Sequence, residues 1–314
     1  MKNITSLLLA LLMLSGVFSA VPGALAETGE LGPITIATMI DSEGAVIGGM
    51  MVQLLRQAGF EVVDRTEFGT PDILRAALLS GEVDLVLDYT GSGQYYHETE
   101  STDAWSDAIA GYELTRDLDQ QVNDLVWLTP ASANNTEGLA VRRAFAEEHG
   151  LKTIGDLAGY INAGKPVKLI AASSFVENVK GLIGFEEAYG FRLKADQLII
   201  LASGNTAEML KALYEERDGV NVSLVYGTDG TLEEMDLVML EDPESIPPVY
   251  LPAPVLRGEL HREYPQIAEI LEPLFLSLTL ETLRSLNAQV VFGDKAAKDV
   301  AAEYLTQAGL LAVE

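Results

Sequence analysis

The sequence predicts an α/β protein built as two lobes, with the chain crossing between them twice. Three observations carry this. From residue 34 onward, short β-rich apolar runs alternate with segments of helical periodicity, the pattern of a parallel sheet with crossover helices. Two proline-broken polar stretches, 129–136 and 246–254, flank a block in which that alternation starts afresh. Finally, the corner Asp88-Tyr89-Thr90-Gly91, where an apolar run ends in an aromatic, a hydroxyl and a glycine, has a counterpart inside the block at Tyr226-Gly227-Thr228-Asp229-Gly230. Open α/β sheets bind ligands at the C-terminal ends of their strands, so two such corners, one per lobe, would face a shared cleft.

Residues 34–39 read as the first strand. Asp41-Ser42-Glu43 then supplies helix-capping side chains, and Ala45, Val46, Met50, Leu54 and Ala58 fall on one helical face before Gly59 stops it. A second strand follows at 61–66. Gly69-Thr70-Pro71 starts the next helix, with Thr70 as N-cap and Pro71 at the first helical position, where a missing N–H costs nothing. That helix runs to about Ser80-Gly81. The third strand, 83–87, leads into the Tyr89 corner, where Gly91 and Gly93 allow a turn that brings a ligand close to main-chain groups. An amphipathic helix carrying Trp105, Ile109, Tyr112 and Leu118 is expected over 103–123, then a strand at 125–128.

Past the first crossing come strands at 139–141, 167–171, 197–201 and 221–225, with helices near 142–149, 153–163, 177–188 and 205–215. After the second crossing, helical patterns near 258–275, 279–288 and 294–308 return to the first lobe. The first lobe is therefore discontinuous, 30–132 with 250–314, and 133–249 forms the second. Lobes tethered in this way close about their crossings as about a hinge.

The chain starts with Lys2, an apolar run from Leu7 to Val21 and then Ala24-Leu25-Ala26, the order of a secretory signal peptide. Residues 1–26 are expected to be removed on export, leaving a soluble periplasmic chain. The sequence has no cysteine, which excludes disulfides, thiolate metal sites and a lipid-modified N-terminal cysteine. A net charge of -27, from 47 acidic against 20 basic residues, argues against nucleic acid or anionic membrane as a partner. Such a charge keeps an exported surface soluble, and its field also favours a cationic ligand.

Catalytic and metal signatures are missing. His97, His149 and His261 are far apart, in no metal-binding spacing, and read as surface residues. There is no nucleophile elbow, phosphate loop or dinucleotide fingerprint, and no cofactor is implied. What remains is a binding site. Tyr89 and Tyr226 offer ring faces, and a quaternary ammonium is held by ring faces within about 6 Å. Phe175, after Ala171-Ala172-Ser173-Ser174, is either a third such ring or a core residue. Asn134-Asn135-Thr136 places three hydrogen-bonding side chains on the first crossing, either facing the cleft or capping the backbone. Glu43 and Thr70 stand at helix starts that converge with the Tyr89 corner, and Thr228 and Asp229 belong to the corner of the second lobe.

In these residues the sequence resembles the osmoprotectant-binding proteins of ABC importers, which capture glycine betaine, choline, carnitine and related compounds. The matching pieces are Asp41-Ser42-Glu43-Gly44, Gly69-Thr70, Asp88-Tyr89-Thr90-Gly91, Asn134-Asn135-Thr136, Glu187-Ala188-Tyr189-Gly190-Phe191, Tyr226-Gly227-Thr228-Asp229-Gly230 and Tyr250 to Arg257, in the family's order. Leu128-Thr129-Pro130 and the Tyr-Gly-Thr-Asp-Gly form are most similar to the osmotically induced Yeh-type branch. The resemblance implies a type II periplasmic binding fold and a non-enzymatic protein that captures a small zwitterion or quaternary ammonium between its lobes. It also implies delivery to a membrane permease with its ATPase, and a monomer is expected. Tyr89 would belong to an aromatic cage, with Tyr226 and Thr228 closing on the ligand.

The chain departs from the family at three places. Many members carry an aromatic before and after the Asn-Asn-Thr run, where Ser132 and Glu137 stand here. The family's Glu-Phe-x-x-Arg is here Ser174-Phe175-Val176-Glu177-Asn178, without the arginine expected to grip a carboxylate; Lys180 is the candidate substitute. The rival expectation keeps the fold and holds an amino acid or other small metabolite by an Arg/Asp pair. An exported enzyme on the same lobes is the third.

Overall fold

The computed structural model describes residues 31–99, 103–202, 206–293 and 295–311, so the expected signal peptide lies outside the described residues. In the first lobe, β1 (Leu31–Met39) buries Ile34 and Ile36, and α1 (Ser42–Gln57) packs Val46, Ile47, Met50 and Leu55 into the same core, while Ala37 joins Leu74 and Val86 in a separate cluster. Asp41 caps α1: its Oδ1 accepts from the Gly44 N–H at 2.6 Å, satisfying one of the donors a helix start leaves over. β2 (Phe60–Gly69), α2 (Pro71–Ser80) and β3 (Leu85–Tyr89) follow, then the short α3 (Gly93–Tyr96), α4 (Ala108–Asn123) and β4 (Leu125–Trp127). Trp105 lies ahead of α4 rather than in it, because Asp107 takes the N-cap, its Oδ1 accepting from the N–H groups of Ile109 and Ala110. Ile109, expected on the apolar face, is 71% exposed.

The second lobe runs β5 (Glu137–Arg142), α5 (Arg143–His149), α6 (Ile154–Asn162), β6 (Leu169–Ala172), α7 (Ser173–Val176), α8 (Leu182–Tyr189), β7 (Leu198–Leu201), α9 (Thr206–Tyr214), β8 (Val222–Tyr226), α10 (Thr231–Glu234) and β9 (Leu237–Met239). The chain then returns as β10 (Pro252–Arg257), α11 (Gly258–Glu263), α12 (Gln266–Ser277), α13 (Leu280–Val291) and α14 (Ala297–Gln307), the last three packing with α1. Each sheet has its own core, one gathering Phe175, Phe185 and Leu224, the other Met50, Phe275 and Leu305.

The strand orders are β2-β1-β3-β10-β4 and β7-β6-β8-β5-β9. In each, three strands run parallel and the fourth runs against both its neighbours, so the sheets are mixed rather than parallel. The reversed strand is the one that arrives from a crossing: β5 after the first, β10 after the second. This corrects the expected second crossing, because Pro252 and Pro254 lie inside a central strand. The strand tolerates them because its neighbour here calls only on their carbonyls, which accept from the Ala131 and Leu128 N–H groups, each at 2.9 Å.

The crossings lie side by side and are tied together. Asn135 N–H donates to the Tyr250 carbonyl at 2.9 Å, Tyr250 N–H to Asn134 Oδ1 at 2.9 Å, and Thr136 Oγ1 to the Pro248 carbonyl at 2.7 Å.

Candidate functional site

Because β3 and β8 hold equivalent places in the two sheets, their C-terminal tyrosines open onto one cleft of about 900 Å³ between the lobes. The starts of α1 and α2, the first crossing and one face of α13 complete the walls. Tyr89, 7% exposed, donates its hydroxyl to Glu43 Oε1 at 2.7 Å. Asn287 of α13 donates through Nδ2 to Glu43 Oε2 at 2.7 Å and to the Thr228 carbonyl at 3.0 Å, joining an acid of the first lobe to a strand end of the second. Two acceptors on Nδ2 orient the amide and leave Asn287 Oδ1 buried without a partner. Asn135 Oδ1 is also buried and unpaired.

Burial raises the Glu43 carboxyl above the usual range, with hydrogen bonds from Thr228, Tyr89 and Asn287 opposing it. Burial and the Glu43 charge together push the Tyr89 phenol well up, so it remains a neutral donor. Asp88 is pushed up to about 6 by burial, although the Tyr89 N–H and the Tyr96 hydroxyl bond to it at 2.7 and 2.9 Å. Beneath lies a buried ion pair: Arg75 donates to Asp119 Oδ2 at 2.8 Å and lies 4.1 Å from the centre of the Tyr96 ring. Burial works against ionisation of Asp119, but the Arg75 bonds and charge prevail and hold its carboxyl below the ordinary range. His97 Nε2 and Trp127 Nε1 also meet Asp119, at 2.9 and 2.7 Å. His97 is therefore mostly buried, not a surface residue; His149 packs edge-on against Phe145, and His261 keeps a buried Nδ1 without a partner.

Glu137 is different. It faces Tyr226 across the β5–β8 ladder and lines the cleft, and no side chain among the described residues bonds or pairs with its carboxylate. Burial alone pushes that carboxyl up to about 7. Tyr226 is in turn pushed up to about 12, by burial first and then by the Glu137 charge, and Tyr250 is raised by burial first, then by Tyr95 and, less, by Glu137. Tyr250 reaches the cleft because Gly91 leaves room for its ring; a β-carbon there would come within 2.8 Å of ring carbons. Gly91 and Gly93 thus serve packing, against Tyr250 and Thr115, rather than a ligand's approach to the backbone.

The structure brings Tyr89, Thr70, Asn135, Tyr226, Thr228, Asp229 and Glu43 to the cleft. Asn134, Thr136 and Phe175 do not line it. Asn134 and Thr136 are spent on bonds between the crossings. Phe175 is fully buried in the second core, its ring centre 6.0 Å from that of Phe185. Lys180 is no substitute for the missing arginine: it pairs with Asp103 at 3.4 Å, and Asn178 lines the cleft in its place. Sequence reasoning missed Tyr95, Tyr96, Tyr250 and Asn287. The first two follow the glycine turn directly and were legible as an aromatic pair; Asn287 had only the faint signal of an amide on the apolar face shared with Leu283 and Leu286.

Two lobes around a cleft of tyrosines, amides and acids define a solute receptor of the hinge-closing kind. A family profile described as the substrate-binding domain of ABC-type glycine betaine transport systems matches residues 32–307, and the chain belongs to this family of non-enzymatic binding proteins. It is similar to the glycine betaine-binding protein YehZ of Escherichia coli, 43% identical over 88% of this chain and 91% of that one. A glycine-betaine-binding protein of Pseudomonas aeruginosa is 32% identical over 92% of this chain and 90% of its own. The solved structure of apo YehZ from Escherichia coli superposes with a TM-score of 0.77, covering 89% of this chain and 99% of that one. The fold is that of the type II periplasmic binding proteins. Among the described residues no helix is long and apolar enough to cross a membrane.

Proposed function

We propose that this protein is the periplasmic solute-binding component of an ABC importer for osmoprotectants, taking up glycine betaine or a related quaternary ammonium compound. The observation that carries the reading is that five phenol rings line one cleft, Tyr89, Tyr95, Tyr96 and Tyr250 from the first lobe and Tyr226 from the second, and that its described lining residues include no lysine, arginine or histidine. Ring faces attract an alkylammonium head by about 0.5–2 kcal/mol each without needing a counter-charge. Thr70 and Asn135 supply hydrogen bonds to the polar end of the solute, and Glu43, Thr228 and Asp229 shape the opposite wall. The lobes, 30–132 with 250–314 and 133–249, swing about the tied crossings, and the monomer presents their closed rims to the permease and its ATPase. Residues 1–26 direct export and are removed. The missing arginine bears on any carboxylate, that of a betaine or of an amino acid; what favours an alkylammonium head over a primary ammonium is the number of phenol rings lining the cleft.

Isothermal titration of the mature chain with glycine betaine, choline and carnitine tests the proposal. At least one is expected to bind, and Tyr89→Ala and Tyr226→Ala are each expected to weaken binding about tenfold or more. If none binds at millimolar concentration, the assignment to quaternary ammonium solutes fails.

A further inference from the structure

The cleft treats positive and negative charge very unequally. Its described lining includes the acids Asp41, Glu43, Asp72, Glu137 and Asp229 and no basic side chain. Three of these acids have structural work. Asp41 caps α1. Glu43 is bonded through both oxygens. Asp229 accepts from Thr206 Oγ1 at 2.7 Å and from the N–H and hydroxyl of Thr231 at 3.1 and 2.7 Å. Asp72 is exposed to solvent. Glu137 alone is both partly buried and uncommitted, and it stands beside the ring of Tyr226, within the field of Tyr250, where an alkylammonium head would rest.

Two basic groups on segments that border the cleft are engaged with protein partners. Lys180 pairs with Asp103. Arg284 of α13 donates to the Gly227 carbonyl at 2.8 Å, interacts with the charges of Glu233 and Asp229, and is not among the residues lining the cleft. The orphaned amide oxygens of Asn287 and Asn135 are acceptors, suited to a hydroxyl or N–H donor and not to a carboxylate. A zwitterion seated here would bring a carboxylate into a partly desolvated site with no counter-charge and with Glu137 as a like-charged neighbour, an arrangement that costs binding energy.

From this we infer that Glu137 determines specificity within the proposed class of solute: the cleft selects net-positive quaternary ammonium compounds that carry a hydroxyl or nothing in place of a carboxylate, and discriminates against zwitterionic betaines. The inference rests on the proposed function above and narrows it. The test is calorimetry of the full mature chain at pH 8, with choline, tetramethylammonium and glycine betaine as probes, on the parent and on Glu137→Gln, which keeps shape and removes charge. The parent is expected to bind choline about tenfold or more tightly than glycine betaine. Tetramethylammonium, which lacks any carboxylate, should also surpass glycine betaine. In Glu137→Gln the ratio should fall about tenfold, through loss of choline affinity and gain of betaine affinity.

Binding of glycine betaine as tight as or tighter than choline by the parent overturns the inference and leaves the proposed function standing. So does an unchanged ratio in a Glu137→Gln protein whose circular dichroism matches the parent. If no probe binds the parent, inference and proposed function fall together. The comparison of probes on the parent needs no variant, so a misfolded Glu137→Gln would not shelter the inference.

Discussion

If the Glu137 carboxylate stands desolvated and unpaired, then removing its charge should stabilise the ligand-free protein, and only at a pH where the charge is present. The carboxyl moves from its ordinary 4.5 to about 7 through burial alone. At about 1.4 kcal/mol for each tenfold change in proton affinity, that displacement corresponds to roughly 3 kcal/mol. Water in the cleft screens part of it, so about 1–2 kcal/mol is expected to survive. The folded state holds its proton more tightly than the unfolded chain, so folded stability falls as pH rises from about 4.5 through 7; the loss is complete above 7 and absent below 4.5. Asp41, Glu43 and Asp88 are raised in the same direction, but they occur in parent and variant alike and cancel in the difference. Glu137→Gln should therefore melt about 2–3 °C above the parent at pH 8, and the gap should close towards pH 4.5. The assay is differential scanning calorimetry without ligand across that range. A gap that is the same at pH 8 and pH 4.5, or a Gln variant less stable at pH 8, would refute the picture of an uncompensated charge.

Three other perturbations separate scaffold from site. Arg75→Met removes the guanidinium from Asp119, leaving it in the core with Trp127, Asn123 and His97 as partners, and should cost about 3–5 kcal/mol in urea unfolding. Phe175→Ala should cost about 3–5 kcal/mol by opening a cavity against Phe185, while leaving the ratio of choline to betaine affinity unchanged, since the ring is a core residue and not a cage wall. Asn287→Ala removes the bridge between Glu43 and the Thr228 carbonyl; the ligand-free protein should populate a more open arrangement, seen as a larger radius of gyration in small-angle scattering, and ligand affinity should fall about tenfold.

The architecture was legible because its signals are local. Alternating apolar runs, the Pro71 start of α2 and two polar crossings lie within a few residues each, and they give the order of most of the elements. The reversed strand β10 was not legible, because Pro252 and Pro254 speak against a central strand unless one knows that its neighbour takes only their carbonyls. The site divides the same way. Tyr89, Tyr226, Thr228 and Asp229 stand where strands end, a place sequence can point to. Asn134 and Thr136 belong to the same crossing as Asn135, and only the pairing of two chain segments over a hundred residues apart decides which side chain is left for the cleft.

That pairing also explains why the two halves of the cleft differ. In the first lobe the corner tyrosine, Tyr89, lies opposite Pro252 on the strand that arrives from a crossing. In the second lobe the equivalent tyrosine, Tyr226, lies opposite Glu137 on the strand that arrives from the other. The layouts match, but one arriving strand presents an uncharged ring and the other a carboxylate. Glu43, the acid beside Tyr89, is held by hydrogen bonds from Tyr89, Asn287 and Thr228 and contributes mainly to orienting that phenol. The uncommitted charge therefore comes from the second lobe, so under the proposed closure a solute resting on Tyr89 would meet the Glu137 carboxylate from the other side. A net-positive head is drawn into the closed state by this motion, whereas a carboxylate on the same solute resists it. Discrimination on this basis would act on the closing step and leave first capture on the Tyr89 side comparatively indifferent to the solute's tail.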